Sequence, residues 1–389
     1  MKKLRVFETF AGIGSQKKAF ENIFNNSNII KVNKLENKQY TIQYTSEWNI
    51  NSIISYDLIH HWTQENYIID YKNLGEENFL REYVNSFSFS KDWKTLYSKE
   101  KINKLPIADI KKLYIAMKRN NNLGSIIDIK WEQLKKIDLL TYSFPCQDLS
   151  NLWKWKWLKK WEKTRSWLLW EIERILIEIK DKWKLPKFLL MENIKAILQN
   201  NFINDFKDFE IFLEELWYKN TLISLNSKDF WIPQTRDRVF LISELNWKTN
   251  FSIQKTKDKV NLWNFLDLWN NLYKEEYDKS CPNDTPSRKK RINTNIKLSS
   301  NSDYVRTITT KQDRNPNSWH IEYINDNILK SNWRFLTPRE CFLLMGFENK
   351  DFDILKENWI SDSELYKQAW NSIVVKVLEQ IFIEILKRF

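Results

Sequence analysis

Glycine is nearly missing from this chain: 5 residues in 389, where ordinary usage near ~7% would give about 27. A dinucleotide fingerprint needs three glycines in one turn. Only Gly12 and Gly14 are present here, and position 17 is Lys, so a nicotinamide oxidoreductase fits worst. Cysteine is also scarce. Cys146, Cys281 and Cys341 are far apart and odd in number, which argues against a disulfide framework and against a zinc site. The three histidines, His60, His61 and His320, are too few for a His-rich metal site, so no metal is expected. No apolar window approaches a membrane span. The run after Met1-Lys2-Lys3 is too short for the core of a signal peptide. The expectation is a soluble, cytoplasmic protein without membrane contact.

What is present points elsewhere. Lys and Arg number 62 against 50 Asp and Glu, a formal charge of +12 with a pI near 9.2. An excess of this size favours a polyanionic partner such as nucleic acid, although a merely soluble basic protein would look the same. The length suits two or three domain-sized units, or one large domain with a smaller companion.

Tryptophan is in surplus, with 20 residues. Glycine and tryptophan together number 25, close to the ordinary glycine share of about 27. Several Trp sit where a chain should turn. Trp153, Trp155, Trp157 and Trp161 crowd a segment that reads as a mobile glycine-rich loop. Trp217 follows a helical run, where a C′ glycine is expected. The composition therefore suggests that many Trp stand for Gly, from a gene whose UGA codons mean glycine. The alternative is a genuinely Trp-rich chain, and UGG codons at these positions would establish it.

Residues 4–10 read as an apolar strand entering the turn Ala11-Gly12-Ile13-Gly14 and a helix through Phe24, the opening of a doubly wound α/β sheet. Further strands are expected at Gln39–Thr45, Ile137–Tyr142, Phe188–Met191, Thr221–Leu225 and Val239–Ser243, with helices such as Ser166–Lys180 and Phe206–Leu216 between them. That alternation predicts a mostly parallel sheet with helices on both faces. The pattern predicts a main domain over 1–244, a polar and basic smaller domain over 245–335, and a helical segment over 336–389 that returns to the first. The connection 49–127 is long, basic and partly helical (Ile107–Arg119). It has no assigned role and reads as a solvated insertion.

Four groups of residues carry candidate chemistry. Cys146, in Ser143-Phe144-Pro145-Cys146-Gln147, follows a predicted strand, where open α/β sheets hold their sites. A thiolate there is a nucleophile, although a lone cysteine is more often inert and buried. Glu192 ends another apolar strand on the same edge and is suited to share a proton with a ring nitrogen. The neighbouring Asn193 also reads as a helix cap. Gln234, Arg236 and Arg238 alternate along an extended segment, so one face is expected to present them to phosphate or a base edge. Phe10, Ala11, Gly12, Ile13 and Gly14 form a turn that a cofactor can approach, and Glu47-Trp48 after the second strand suits a ribose and an adenine face.

In this order, the four groups resemble the DNA (cytosine-5)-methyltransferase family over nearly the whole chain. The family's Phe-x-Gly-x-Gly, Pro-Cys, Glu-Asn and Gln-x-Arg-x-Arg match Phe10 to Gly14, Pro145-Cys146, Glu192-Asn193 and Gln234 to Arg238. A return motif runs from Leu336 to Phe347, and Trp370-Asn371-Ser372-Ile373 stands where the family has Gly-Asn-Ser-Val. The resemblance places glycine at Trp167, Trp217, Trp231 and Trp370, and commonly at 153, 157 and 161. Trp48 and Trp170 fall at aromatic positions of the family.

The resemblance implies an S-adenosylmethionine-dependent methyltransferase fold with a target recognition domain. It implies methyl transfer to carbon 5 of a flipped cytosine in duplex DNA, with Cys146 as nucleophile and Glu192, Arg236 and Arg238 in support. The cofactor would contact Phe10, Ala11, Gly12, Ile13, Gly14, Glu47, Trp48, Asp128, Ile129, Pro145, Leu168, Asn371 and Ser372. DNA would meet Gln147, Ser150, Arg165, Gln234, Lys311 and Arg314. A monomer working beside a separate restriction endonuclease is expected. A tRNA cytosine-5 methyltransferase shares the same motifs, and a catalytically dead DNA-binding protein is the reading from another class. The 245–335 segment favours DNA. With Trp truly at the glycine positions, the chain is expected to fold poorly or be inactive.

Overall fold

A six-stranded sheet has central strands whose apolar runs are buried on both faces, while its two outer strands are only partly covered. Its strands are β1 (Lys2–Thr9), β2 (Lys38–Ser46), β3 (Leu139–Tyr142), β4 (Phe188–Asn193), β5 (Tyr218–Asn226) and β7 (Asp237–Leu245), in the order β2-β1-β3-β4-β7-β5. The computed structural model describes residues 1–63, 74–144, 168–182, 185–199, 202–246, 251–256, 258, 260–266, 271–294, 298, 302–310, 312, 321–323, 327 and 329–389. β1 pairs in parallel with β2 and with β3, and β3 in parallel with β4. Near-continuous runs such as Leu139-Leu140 and Phe188-Leu189-Leu190-Met191 suit strands covered on both faces. β7 runs antiparallel to β4, so the mostly parallel sheet includes a reversed strand. The order changes direction between β1 and β3. Open sheets bind ligands outside the carboxyl ends of strands at such a point.

The chain's contacts divide it into two units. The first holds residues 1–225, 237–254 and 378–389. α1 (Ser15–Phe24) packs on the sheet, with Phe20 stacked on Phe382 at 4.1 Å between ring centres. α7 (Leu168–Lys180) buries Leu169, Ile172, Ile175, Leu176 and Ile179, the 3–4 spacing of a helix face. The 49–127 insertion contains α3 (Ile50–His61), α4 (Glu77–Asn85), α5 (Lys99–Asn103) and α6 (Ile107–Arg119). Ile53, Leu80, Val84, Phe89, Ile110 and Leu113 give it a core of its own, so the partly helical insertion packs as a lobe. α2 (Ser27–Val32) and α8 (Ile203–Glu215) complete this unit together with most of α14 (Val375–Arg388).

The second unit holds residues 226–236 and 255–377. The expectation put 336–389 with the first domain, but here only 378–389 groups there. β6 (Gln234–Thr235) pairs in parallel with β8 (Val305–Arg306), and β9 (Ile321–Glu322) is antiparallel to β10 (Trp333–Arg334). The helices are α9 (Lys274–Ser280), α10 (Pro286–Thr294), α11 (Pro338–Leu343), α12 (Asn349–Glu357) and α13 (Asp362–Asn371). Polar contacts explain the grouping. Arg334 is fully buried and forms a fork to Glu340 at 2.7 and 2.8 Å. Thr337 and Glu340 close a capping box on α11, with Pro338 in its first turn. The Tyr366 hydroxyl donates to the Leu336 carbonyl.

Among the described residues, four tryptophans occupy left-handed backbone: Trp93 (φ 58°), Trp217 (φ 69°), Trp231 (φ 57°) and Trp359 (φ 65°). For an L-residue this conformation costs about 1–2 kcal/mol, and for a bulky one it is an outlier. Trp217 and Trp231 are among the positions where glycine was expected. Composition did not single out Trp93 and Trp359. Trp359 is 91% exposed and closes α12 with its N–H on Lys356 and the next N–H on Leu355, the helix stop that glycine usually makes. Trp370 differs, since it lies within α13. Positions 153, 155, 157, 161 and 167 fall outside the described residues.

Candidate functional site

At the carboxyl end of β1 the backbone turns through three left-handed residues, Phe10 (φ 54°), Gly12 (φ 56°) and Gly14 (φ 82°). Gly14 caps α1. A side chain added at Gly12 would meet open space, so a ligand has access to that peptide. Glu47 follows β2 and is buried. Its carboxylate accepts the N–H groups of Gly12 (3.0 Å), Trp48 (2.9 Å) and Asn49 (2.8 Å). A carboxylate has about four acceptor positions, which leaves capacity for one hydroxyl. Burial raises its pKa, and the three backbone donors oppose that shift. Trp48 is half-buried beside it.

Asp128 is exposed and Ile129 buried, in a segment tied to β2 by the Leu123 N–H on the Thr45 carbonyl. These residues fit an adenosine-bearing group: an open peptide edge, a carboxylate with spare capacity, an indole and an apolar floor. Leu168, the first residue of α7, is half-buried.

Along the same sheet edge, Glu192 near the end of β4 meets Arg238 of β7, with Arg238 Nε 3.0 Å from Glu192 Oε1 and both side chains about seven-eighths covered. Arg238 also donates to the Asp237 carbonyl. Asn193 accepts the Ile194 N–H but does not cap the short helix Lys195–Leu198, whose N-cap is Ile194, and its amide donates to the Phe144 carbonyl at 3.3 Å. The stretch that leads into Pro145-Cys146 is thus held at the end of β4. Pro145, Cys146, Gln147, Ser150 and Arg165 lie outside the described residues, as do Lys311 and Arg314.

Gln234, Arg236 and Arg238 do not share one exposed face: the first two are buried and only Arg238 reaches the sheet edge beside Glu192. Gln234 has no exposed surface. It donates to the Leu344 carbonyl and accepts the Ile308 N–H, so it ties parts of the second unit together. Arg236, also buried, donates to the carbonyls of Trp370 (2.7 Å) and Ser372 (2.9 Å), and in this structure it braces the end of α13. The short β6 ends at Thr235 and the division between the units falls after Arg236, so a single strand face never forms. Asn371 is exposed, while the Ser372 hydroxyl donates to the Gln368 carbonyl.

One cluster escaped the sequence reading. Glu8, Lys17, Glu21, Tyr56, His60 and His61 meet beneath the Gly12–Gly14 turn. The Tyr56 hydroxyl donates to Glu8 at 2.8 Å. His60 Nδ1 lies 3.0 Å from Glu21 and its Nε2 3.2 Å from the Ile13 carbonyl. The only hint was two adjacent histidines in an apolar helix.

Residues 86–387 match the family model described as C-5 cytosine-specific DNA methylase. The chain is 34% identical over 400 residues to the Type II methyltransferase M2.ScrFI of Lactococcus lactis subsp. cremoris, covering 99% of each. It is 35% identical over 395 residues to the orphan methyltransferase M.SssI of Spiroplasma monobiae, covering 98% of this chain and 96% of the relative. The solved S. pombe Dnmt2 methyltransferase aligns with a TM-score of 0.63 at 16% identity over 99% of both chains, a likeness of fold.

Proposed function

This chain belongs to the C-5 cytosine-specific DNA methylases, and from that premise we propose how its residues carry out the transfer. A cytosine inside a stacked duplex cannot be reached, so the target base is flipped out. Cys146 adds to carbon 6 of the ring. Glu192 contacts the ring nitrogen and the exocyclic amino group, and Arg238 holds that carboxylate in place. Carbon 5, made electron-rich, takes the methyl group. Loss of the carbon-5 proton and expulsion of the Cys146 sulfur restore the aromatic ring. S-adenosylmethionine supplies a methyl already activated by its sulfonium, so no metal is called for.

The single observation carrying this reading is the Glu192–Arg238 pair at 3.0 Å beside the Asn193–Phe144 tie, which joins the proposed acid to the approach of the proposed nucleophile. Phe10 to Gly14, Glu47, Trp48, Asp128 and Ile129 would hold the cofactor, with Pro145, Leu168, Asn371 and Ser372 completing its surroundings. Gln147, Ser150, Arg165, Lys311 and Arg314 would touch DNA. Arg236 would act through the Trp370–Ser372 backbone. The chain would work as a cytoplasmic monomer, as one member of a restriction–modification pair.

The test is transfer of labelled methyl to unmethylated duplex DNA and to tRNA. Three full-length chains are compared: the chain as written, one with Gly at 153, 155, 157, 161, 167, 217, 231 and 370, and that second chain with Cys146→Ala. Transfer to DNA only, lost with Cys146→Ala, is the expected result. Transfer to tRNA alone, or no transfer by any folded version, would overturn it.

A further inference from the structure

The His60 side chain has no exposed surface, and both of its ring nitrogens face acceptors. Nδ1 meets the two Glu21 oxygens at 3.0 and 3.1 Å, and Nε2 meets the Ile13 carbonyl at 3.2 Å. A neutral imidazole has one donor, and only the imidazolium satisfies both contacts. Ile13 and Gly14 are the last residues of the turn that would hold the cofactor. A Cβ at Gly14 would lie 2.3 Å from His60 Nε2 and 2.8 Å from Tyr56, so this imidazole and phenol form the floor under the turn. Their rings stack at an angle, 4.8 Å apart.

We propose that His60 is a positioning residue for the cofactor turn: as an imidazolium anchored by Glu21, it fixes the Ile13 carbonyl and so sets the affinity for S-adenosylmethionine. This rests on the reading of the turn as the cofactor site. His60 touches no reacting atom. It acts through the backbone, where a shift of the Ile13 peptide would also move the Gly12 N–H that Glu47 accepts.

The surrounding charges are consistent with this state. Burial works against the Glu21 carboxylate, but the His60 hydrogen bond and charge, together with Lys17 and Lys18, outweigh it and lower its pKa. Lys17, on the same helix face as Glu21, is turned to His61, whose own pKa burial and the Lys17 charge push down to about 3. The neighbouring histidine is therefore neutral at ordinary pH, and the His60 site does not carry a second imidazolium. Glu8 adds a carboxyl on the β1 side through Tyr56. Asp57, one turn before His61 on α3, pairs with Arg119 at 3.0 Å, and both charges also act on Lys17.

The test uses the full-length glycine-bearing chain defined above, with His60→Gln and Glu21→Gln introduced singly. Calorimetric titration with S-adenosylmethionine is run from pH 6 to pH 8, and KM for DNA is measured alongside. Affinity of the parent chain should fall as pH rises through the loss of the His60 proton. His60→Gln should weaken binding about tenfold at pH 6, the scale of one charge-assisted hydrogen bond, with a flattened pH profile and KM for DNA unchanged. Glu21→Gln should shift the fall in affinity to lower pH, and it keeps the test open if His60→Gln does not fold. Equal cofactor affinity and pH profile in folded variants, with only a lower Tm, would overturn the proposal. A parent chain that binds no S-adenosylmethionine would instead fail the underlying cofactor reading.

Discussion

Glu192 and Arg238 face each other diagonally across the antiparallel pair β4–β7, where Glu192 is in register with Phe240, two residues beyond Arg238. Two opposed charges this well covered are held by each other, and removing one strands its partner. Arg238→Ala is therefore expected to lower kcat by about 100-fold or more, the scale of losing one preorganised charge donor. Glu192→Ala should do at least as much, and the double variant should lose less than the sum of both. Single-turnover methyl transfer measures all three. Additive losses would show that the pair does not act as a unit.

The left-handed tryptophans make a separate prediction. Trp217→Gly and Trp359→Gly should each stabilise the fold by about 1–2 kcal/mol, because glycine adopts φ > 0 without the Cβ penalty. Trp370→Gly should not stabilise through the backbone, since glycine within a helix costs about 1 kcal/mol relative to alanine. Urea unfolding of the three variants compares them. UGA codons are expected at 93, 217, 231 and 359, with glycine found there by mass spectrometry of the natural protein. UGG codons would end that idea whatever the stabilities.

Glu8 supplies a pH dependence of known sign. Burial raises its pKa to about 7, with the Tyr56 hydrogen bond opposing that shift. The folded chain therefore holds a proton between about pH 4.5 and 7 that the unfolded chain has released. Stability should fall as pH rises through that window and level off above it. Glu8→Gln keeps an acceptor for the Tyr56 hydroxyl and should remove this component of the slope. Denaturant titrations at pH 5, 6, 7 and 8 check it, and identical slopes in both chains would refute the assignment.

Gln234 separates a structural residue from a DNA contact. Buried with both amide ends bonded, it should lose about 1–3 kcal/mol of stability as Gln234→Ala, the cost of unsatisfied buried partners. The salt dependence of DNA binding should stay unchanged, since no phosphate contact is removed. A smaller salt slope would return Gln234 to the interface.

Much of the sheet was legible in the chain. Apolar runs of four to eight residues mark buried strands locally, and α6 was found at its two ends because a helix face repeats every three to four residues. Glu192 and Arg238 were singled out by local motif. Their contact was not, because it depends on the antiparallel direction of β7, which no local pattern encodes. The burial of Gln234 and Arg236 was not legible for the same reason: alternation describes a continuous strand, and here the strand breaks at Arg236.

By itself the sequence determined the α/β class, the order of the motifs and a glycine deficit matched by tryptophan, all carried by neighbours along the chain. Tertiary structure decided which side chains are occupied. It buried Gln234, made Arg334 a core ion pair, turned Trp93 and Trp359 into left-handed helix or loop residues, and brought His60 under Gly14 from 46 positions away. Burial and pairing between distant residues follow from packing, and packing is settled only when the whole chain has folded.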